Sequence, residues 1–242
     1  MRISARLSAF APIATELEDV REQVARELRR EGHLTFGLVE RALGSLDCTL
    51  PPALLILSAR LYDGEARTFK ALACVFQFIC LATKIHFSPQ GGPGLPVLVG
   101  DLLYSKFFFY LCRYQCLEFL APLAELICRI HEGGALRWSR ADWNYPACLE
   151  VIDRETALLL KEACRAGARV AGAVPEQVEA LGRYGFNLGR AWGLGQRGVA
   201  PEERREFAWR AERELEVLPD RRERQALSAL LQALAGPGVT VE

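Results

Sequence analysis

Between Lys70 and Lys84 the chain carries the run ALACVFQFICLA at residues 71–82, and no other feature restricts the possible fold as much. The run falls short of the roughly 18 residues a membrane-crossing helix needs, and a lysine flanks it on either side, so it is expected to be a helix enclosed by protein. A helix that is apolar nearly all round must be covered on every face by other elements. The apolar half of this 242-residue chain supplies ample material for such a core.

The remaining sequence keeps a helical period. Ile13, Leu17, Val20, Val24 and Leu28 are spaced by three or four residues, which predicts one amphipathic helix over residues 12–30. After Gly32-His33 a second helix is expected at 34–43. Pro51 and Pro52 suit the opening of a third at 53–62, and a long fourth over 65–86 leads into a Pro/Gly loop at 91–94. Residues 96–130 are apolar with charges interspersed, and Pro122 is expected to end or bend a helix there. A polar connector carrying Trp138 and Trp143 follows at 133–146. Further helices are predicted over 148–173 and from 175 to about 194, with two charged ones in 201–234 separated by Leu218-Pro219-Asp220. No β-alternating segment of useful length occurs. The expected fold is all-α, a single-domain helical bundle over residues 1–242, of about eight to ten helices and without internal repeats.

Charge excludes some partners. Thirty basic residues balance thirty acidic ones, so no global field recruits nucleic acid or anionic lipid, and no membrane span is expected. The first twenty residues lack a long apolar stretch followed by a small-residue cleavage site, so export is not expected and the chain reads as cytoplasmic. The eight cysteines are scattered among Leu, Phe and Ala, which fits reduced, buried thiols. A metal site on Cys112 and Cys116, or on Cys128 and His131, can be constructed. Its members lie inside apolar helices rather than on the turns that metal sites favour, so no metal is assigned.

Individual residues have plain structural readings. His86, closing the long apolar helix, has no nucleophile or acid near it in sequence and reads as a hydrogen-bonded structural histidine. Asp101 after Gly100 reads as a helix cap. Phe107, Phe108, Phe109 and Tyr110 span the whole circumference of one helix, so some of them must meet a second surface, either a neighbouring helix or another subunit.

Several of these segments, in order, resemble the all-trans polyprenyl diphosphate synthases. Ile85-His86, the return through Val99-Gly100-Asp101-Leu102-Leu103, the helix Leu149-Glu150-Val151-Ile152-Asp153-Arg154-Glu155-Thr156-Ala157, the helix Tyr184-Gly185-Phe186-Asn187-Leu188-Gly189-Arg190-Ala191-Trp192 and the late Leu218-Pro219-Asp220 all match that pattern. The resemblance implies an isoprenoid-synthase-like fold. It also implies two magnesium-binding aspartate clusters, since an allylic diphosphate ionises only when metal neutralises the departing pyrophosphate.

Those clusters are what the chain lacks. His86, Phe87, Ser88 and Gly91 stand where the first should begin, Gln196 and Arg197 where the second should lie, and Glu155 where the family has a lysine; no two aspartates are adjacent anywhere. Asp47-Cys48-Thr49-Leu50-Pro51-Pro52 replaces a Gly-Lys-x-x-Arg-Pro diphosphate motif, so the cationic cradle is expected to be gone as well. No cofactor and no catalytic residue is assigned. The expected function is that of a non-catalytic, regulatory or structural subunit of a heteromeric polyprenyl diphosphate synthase, active only beside a catalytic partner. Its interface is expected on residues 96–112 and their successor to 130, with Phe107, Phe108, Phe109 and Tyr110 in it. A homodimer is the other assembly considered. The other functions are an active prenyltransferase with relocated metal ligands and an isoprenoid-binding protein.

Overall fold

The computed structural model describes residues 8–88, 92, 94–139 and 144–235. Gly91, Pro89, Gln90 and Trp143 lie outside the described residues. Among those described there is no strand. A short 3-10 segment, Ser8–Ile13, opens into α1 (Ala14–Arg30), followed by α2 (His33–Leu43), α3 (Leu46–Arg60), α4 (Ala66–His86), α5 (Leu95–Arg113), α6 (Leu120–Ser139), α7 (Tyr145–Ile152), α8 (Leu158–Val170), α9 (Pro175–Gln196), α10 (Pro201–Glu214) and α11 (Arg222–Ala235).

The central element is α4. Every residue from Ala71 to Ala82 is buried, Gln77 included, as α1, α2, α3, α5 and α8 pack around it. By length and composition both α4 and α5 could cross a membrane. The apolar character of α4 is instead consumed by the surrounding helices, whereas only 39% of the α5 apolar window is buried.

The ends of the elements correct the sequence reading in instructive places. α3 starts at Leu46 rather than Ala53, with Ser45 as its cap accepting a hydrogen bond from the Cys48 amide. Pro51 and Pro52 therefore sit inside the helix, where their missing N–H groups leave the Asp47 and Cys48 carbonyls without an intrahelical donor. Pro122 does not end a helix; it lies in the first turn of α6, where no donor is needed, and the break comes earlier, at Gln115 with φ of 57°. The connector expected from 133 is helical to Ser139. Gly133 and Gly134 serve close packing: a Cβ on Gly134 would come 2.0 Å from Phe87 Cζ, and one on Gly133 2.8 Å from Arg154 Cβ. The helix expected at 148–173 runs without a break from Tyr145 to Val170, with one π-helical turn, Asp153–Ala157, between α7 and α8. Arg190 of α9 holds that turn with a bidentate bridge to Asp153 at 2.7 and 2.8 Å.

Two side-chain readings also change. Asp101 is no cap: it sits in the second turn of α5, beyond an N-cap at Gly94. Cys112 and Cys128 are exposed rather than buried, and Cys116 lies buried beyond the end of α5, so Cys112 and Cys116 do not share a helix face.

Candidate functional site

The ends of α3, α4, α6 and α9 and the π-turn enclose a cavity of about 410 Å³. Its apolar wall is Leu50, Phe87, Leu159, Leu160 and Trp192, and its polar rim holds Asp47, Thr83, Lys84, Ser88, Arg137, Glu155, Thr156, Gln196 and Arg197. The positions singled out in the sequence at Phe87, Ser88, Glu155, Gln196 and Arg197 thus converge on one volume, although they come from three separate stretches. Gly91 is outside the described residues.

His86 is turned away from this volume. Its Nε2 lies 3.2 Å from Asp101 Oδ1, and its ring fills the space that Gly100 leaves, where a Cβ would come within 1.6 Å of His86 Cδ2. Beside it Tyr104 Oη shares a hydrogen bond with His131 Nε2 at 2.8 Å and contacts Thr83 Oγ1 at 3.3 Å. Burial, and then the neighbouring His86, hold the His131 imidazole below its ordinary value, while burial pushes the Tyr104 hydroxyl up to about 12. This group joins α4, α5 and α6; His86 packs within it against Tyr104 and His131, but its buried Nε2 makes no hydrogen bond, the approach to Asp101 being close and misaligned.

The cationic cradle is not lost, contrary to the expectation from sequence. Lys84, Arg137 and Arg197 all line the cavity. Arg197 was singled out only as a place where an aspartate is missing, and Lys84 and Arg137 were not assigned there because no motif marks them; the one available signal was Lys84, a charge near the end of an otherwise apolar helix. Each is answered by an acid of the same chain. Lys84 Nζ bonds Asp47 Oδ2 at 2.6 Å, and the Trp192 indole N–H donates to Asp47 Oδ1 at 2.9 Å, so both oxygens of that carboxylate are occupied. Burial works against the Lys84 ammonium, but Asp47, Cys48 and Cys80 outweigh it and keep the pKa above the ordinary lysine value. Glu155 reaches from the π-turn between two guanidiniums, Oε1 at 3.2 Å from Arg137 Nε and Oε2 at 3.8 Å from Arg197. The Arg137 contact is close but misaligned for a hydrogen bond. Burial raises the Glu155 carboxyl above the usual carboxylate value, against the pull of both arginines.

This donor set does not fit a divalent magnesium site. Magnesium takes oxygen ligands in near-octahedral geometry, and the two cavity carboxylates are separately engaged by cations. Among the described residues no group of three or more His, Cys, Asp or Glu is placed to hold a metal.

The described residues form an all-α bundle with a cavity at the ends of its helices, the fold of solved polyprenyl synthases. The comparisons agree. The family model described as Polyprenyl synthetase matches residues 90–194. The chain is 27% identical to the octaprenyl diphosphate synthase of Escherichia coli (strain K12) over 161 residues, covering 59% of this chain and 50% of that one. It spans about half the length of the curated relatives it matches. It superposes on a polyprenyl synthase from Caulobacter crescentus CB15, complexed with calcium and isoprenyl diphosphate, with a TM-score of 0.83 at 23% identity, covering 94% and 97% of the two chains. It also matches a heterotetrameric geranyl pyrophosphate synthase from mint with a TM-score of 0.71 at 17% identity, over 89% and 98% of the chains. Residues 90–194 thus resemble the polyprenyl synthetase family, and the described residues share the fold of its solved members.

One surface remains to be placed. The structure divides the aromatic run of α5: Phe107 and Tyr110 are 0% and 1% exposed and fill the core, whereas Phe108 and Phe109 are each 49% exposed. Phe107 and Tyr110 are thus corrected from interface to core, since a helix turns about 100° per residue and only its middle pair points away. Val97, Leu98 and Leu117 are also exposed, on α5 and just beyond it.

Proposed function

We propose that this chain is a single-domain, cytoplasmic, non-catalytic subunit that assembles with a catalytic polyprenyl diphosphate synthase. The observation that carries the reading is the pairing of the cavity's charges: Asp47 and Glu155 engage the cations that a diphosphate would need, leaving a surplus of one positive charge, and no metal-ligating cluster faces them among the described residues. Ionisation of an allylic diphosphate depends on that electrostatic stabilisation. An active enzyme with relocated metal ligands would need carboxylates that this cavity does not offer. An emptied, half-apolar cavity also suits an isoprenoid-binding role, and its 410 Å³ would hold only a short chain.

The exposed apolar face of α5 supports the assembly half of the proposal. Leu98, Phe108 and Phe109 form apolar surface that is costly in water unless a partner covers it, and the mint structure shows that this fold is used in an assembly of more than one kind of chain. Co-expression with an intact polyprenyl synthase, followed by size exclusion, tests it. We expect co-elution that is lost in the Leu98→Asp, Phe108→Asp variant. A chain that ignores every such synthase overturns the heteromer reading.

A further inference from the structure

We propose that Cys48 and Cys80 form a peroxide-responsive disulfide site in the wall of the cavity. The two sulfurs come from different helices, α3 and α4, and lie 3.0 Å apart, inside the van der Waals contact of two sulfurs. Local sequence chemistry sets this up. Pro51 denies the Asp47 carbonyl its helical N–H partner, and the freed oxygen instead lies 3.5 Å from Cys80 Sγ. That contact draws Cys80 toward the first turn of α3, where the Ser45 cap fixes the backbone of Cys48. Cys80 lines the cavity, so a small oxidant reaches it from there, and Cys48 lies directly behind it, fully buried.

The surroundings favour a reactive pair over two inert core thiols. Burial pushes the thiols of Cys74 and Cys164 up to about 12. Burial also acts to raise Cys48, yet the Cys80 hydrogen bond and the Lys84 ammonium outweigh it and hold Cys48 below its ordinary value, while Cys80 is raised by its bond to Cys48 and by burial. The pair thus shares a proton beside the Lys84 ammonium.

The chemistry balances with a hydroperoxide as oxidant. Cys80 passes its proton to Cys48 Sγ across their 3.0 Å contact and attacks one peroxide oxygen as the thiolate, the O–O bond breaks, and the departing hydroxide takes that proton back from Cys48 and leaves as water, giving a sulfenic acid on Cys80. Cys48 Sγ then attacks Cys80 Sγ, the S–O bond breaks and a second water leaves. Two thiols are oxidised by two electrons and one hydrogen peroxide is reduced to two waters. The bond ties α3 to α4 between Asp47 and Lys84, the residues that neutralise one side of the cavity. The inference stands whether or not the chain is a subunit of a synthase.

The test uses the full chain carrying Cys112→Ser and Cys128→Ser, which removes the exposed thiols and leaves six of the eight. The reduced protein is titrated with hydrogen peroxide, and thiols are counted after denaturation. We expect six thiols to fall to four, an intact mass lower by about 2 Da, and full recovery with dithiothreitol. The oxidised form should melt about 5–10 °C higher, since the bond closes a long loop in the unfolded chain. Cys48→Ala should abolish the mass loss and accumulate dimedone-reactive sulfenic acid on Cys80. A peptide map of the oxidised chain without Cys48→Ala decides the matter even where that variant fails to fold. Six thiols persisting, a bridge between other cysteines, or Cys80 sulfinic acid with Cys48 still free would each overturn the proposal.

Discussion

Glu155 sits in a π-turn, between Arg137 and Arg197, at a raised carboxyl pKa. It is the residue that decides what the cavity can hold. While ionised it engages two guanidiniums and offsets one of their two charges; once neutral it releases both. Glu155→Gln should therefore strengthen binding of inorganic pyrophosphate, without metal, by roughly tenfold, a single favourable charge contact of about 1.4 kcal/mol. Calorimetry at pH 7 checks this. Unfolding stability should change by no more than about 1 kcal/mol, since partly exposed pairs contribute little. The pH dependence follows with its sign. A carboxyl raised above its unfolded value takes up a proton earlier as pH falls, so the folded state loses stability as pH rises through that range, and pyrophosphate affinity rises as pH falls through it. Glu155→Gln should flatten the affinity profile. A profile unchanged by that substitution would remove Glu155 from the account.

Among the elements, α8 and α2 carry glycines with opposite consequences. A Cβ on Gly167 in α8 would come 2.2 Å from the Leu55 carbonyl oxygen of α3, which is backbone and cannot rotate away, so Gly167→Ala should cost about 2–3 kcal/mol by forcing the two helices apart. Gly37 in α2 has nothing within 4 Å, and alanine there should stabilise by about 0.5–1 kcal/mol through helix propensity alone. Urea denaturation separates the two, with equal effects at both sites as the contrary result. The element boundaries that eluded sequence reasoning share a cause. Pro51 and Pro52 look like a helix opening, yet the Ser45 cap and burial against α4 extend α3 back beyond them. Gly133 and Gly134 look like a connector, yet α6 continues through them because a side chain there would strike Arg154 and Phe87. Glycine and proline mark turns only when tertiary contacts do not give them another use.

At the scale of the whole molecule, cavity and surface make one prediction that does not depend on any partner. The isolated chain should bind an allylic diphosphate with magnesium no better than without it, because both cavity carboxylates are held by cations. Calorimetry of the chain alone is sufficient. Micromolar, metal-dependent affinity would show that a metal site exists elsewhere and would sink the non-catalytic reading.

Helical period and the unbroken apolar run at 71–82 were enough to determine the all-α class and the central place of α4, because a helix apolar on every face can only be enclosed. The order of family-like segments determined the ancestry, and the residues at 87, 88, 155, 196 and 197 were legible as one site only through that resemblance. What sequence could not decide was which distant charges meet. Lys84 and Asp47 are 37 residues apart, Arg137 stands 18 positions before Glu155, and Cys48 and Cys80 are separated by two helices' worth of chain. Spacing along a chain reports the face of one helix; contact between helices depends on crossing and depth. Only the packed bundle brings these groups within bonding distance, leaving the cavity cations paired with acids, its thiols in contact and Phe108 and Phe109 facing outward.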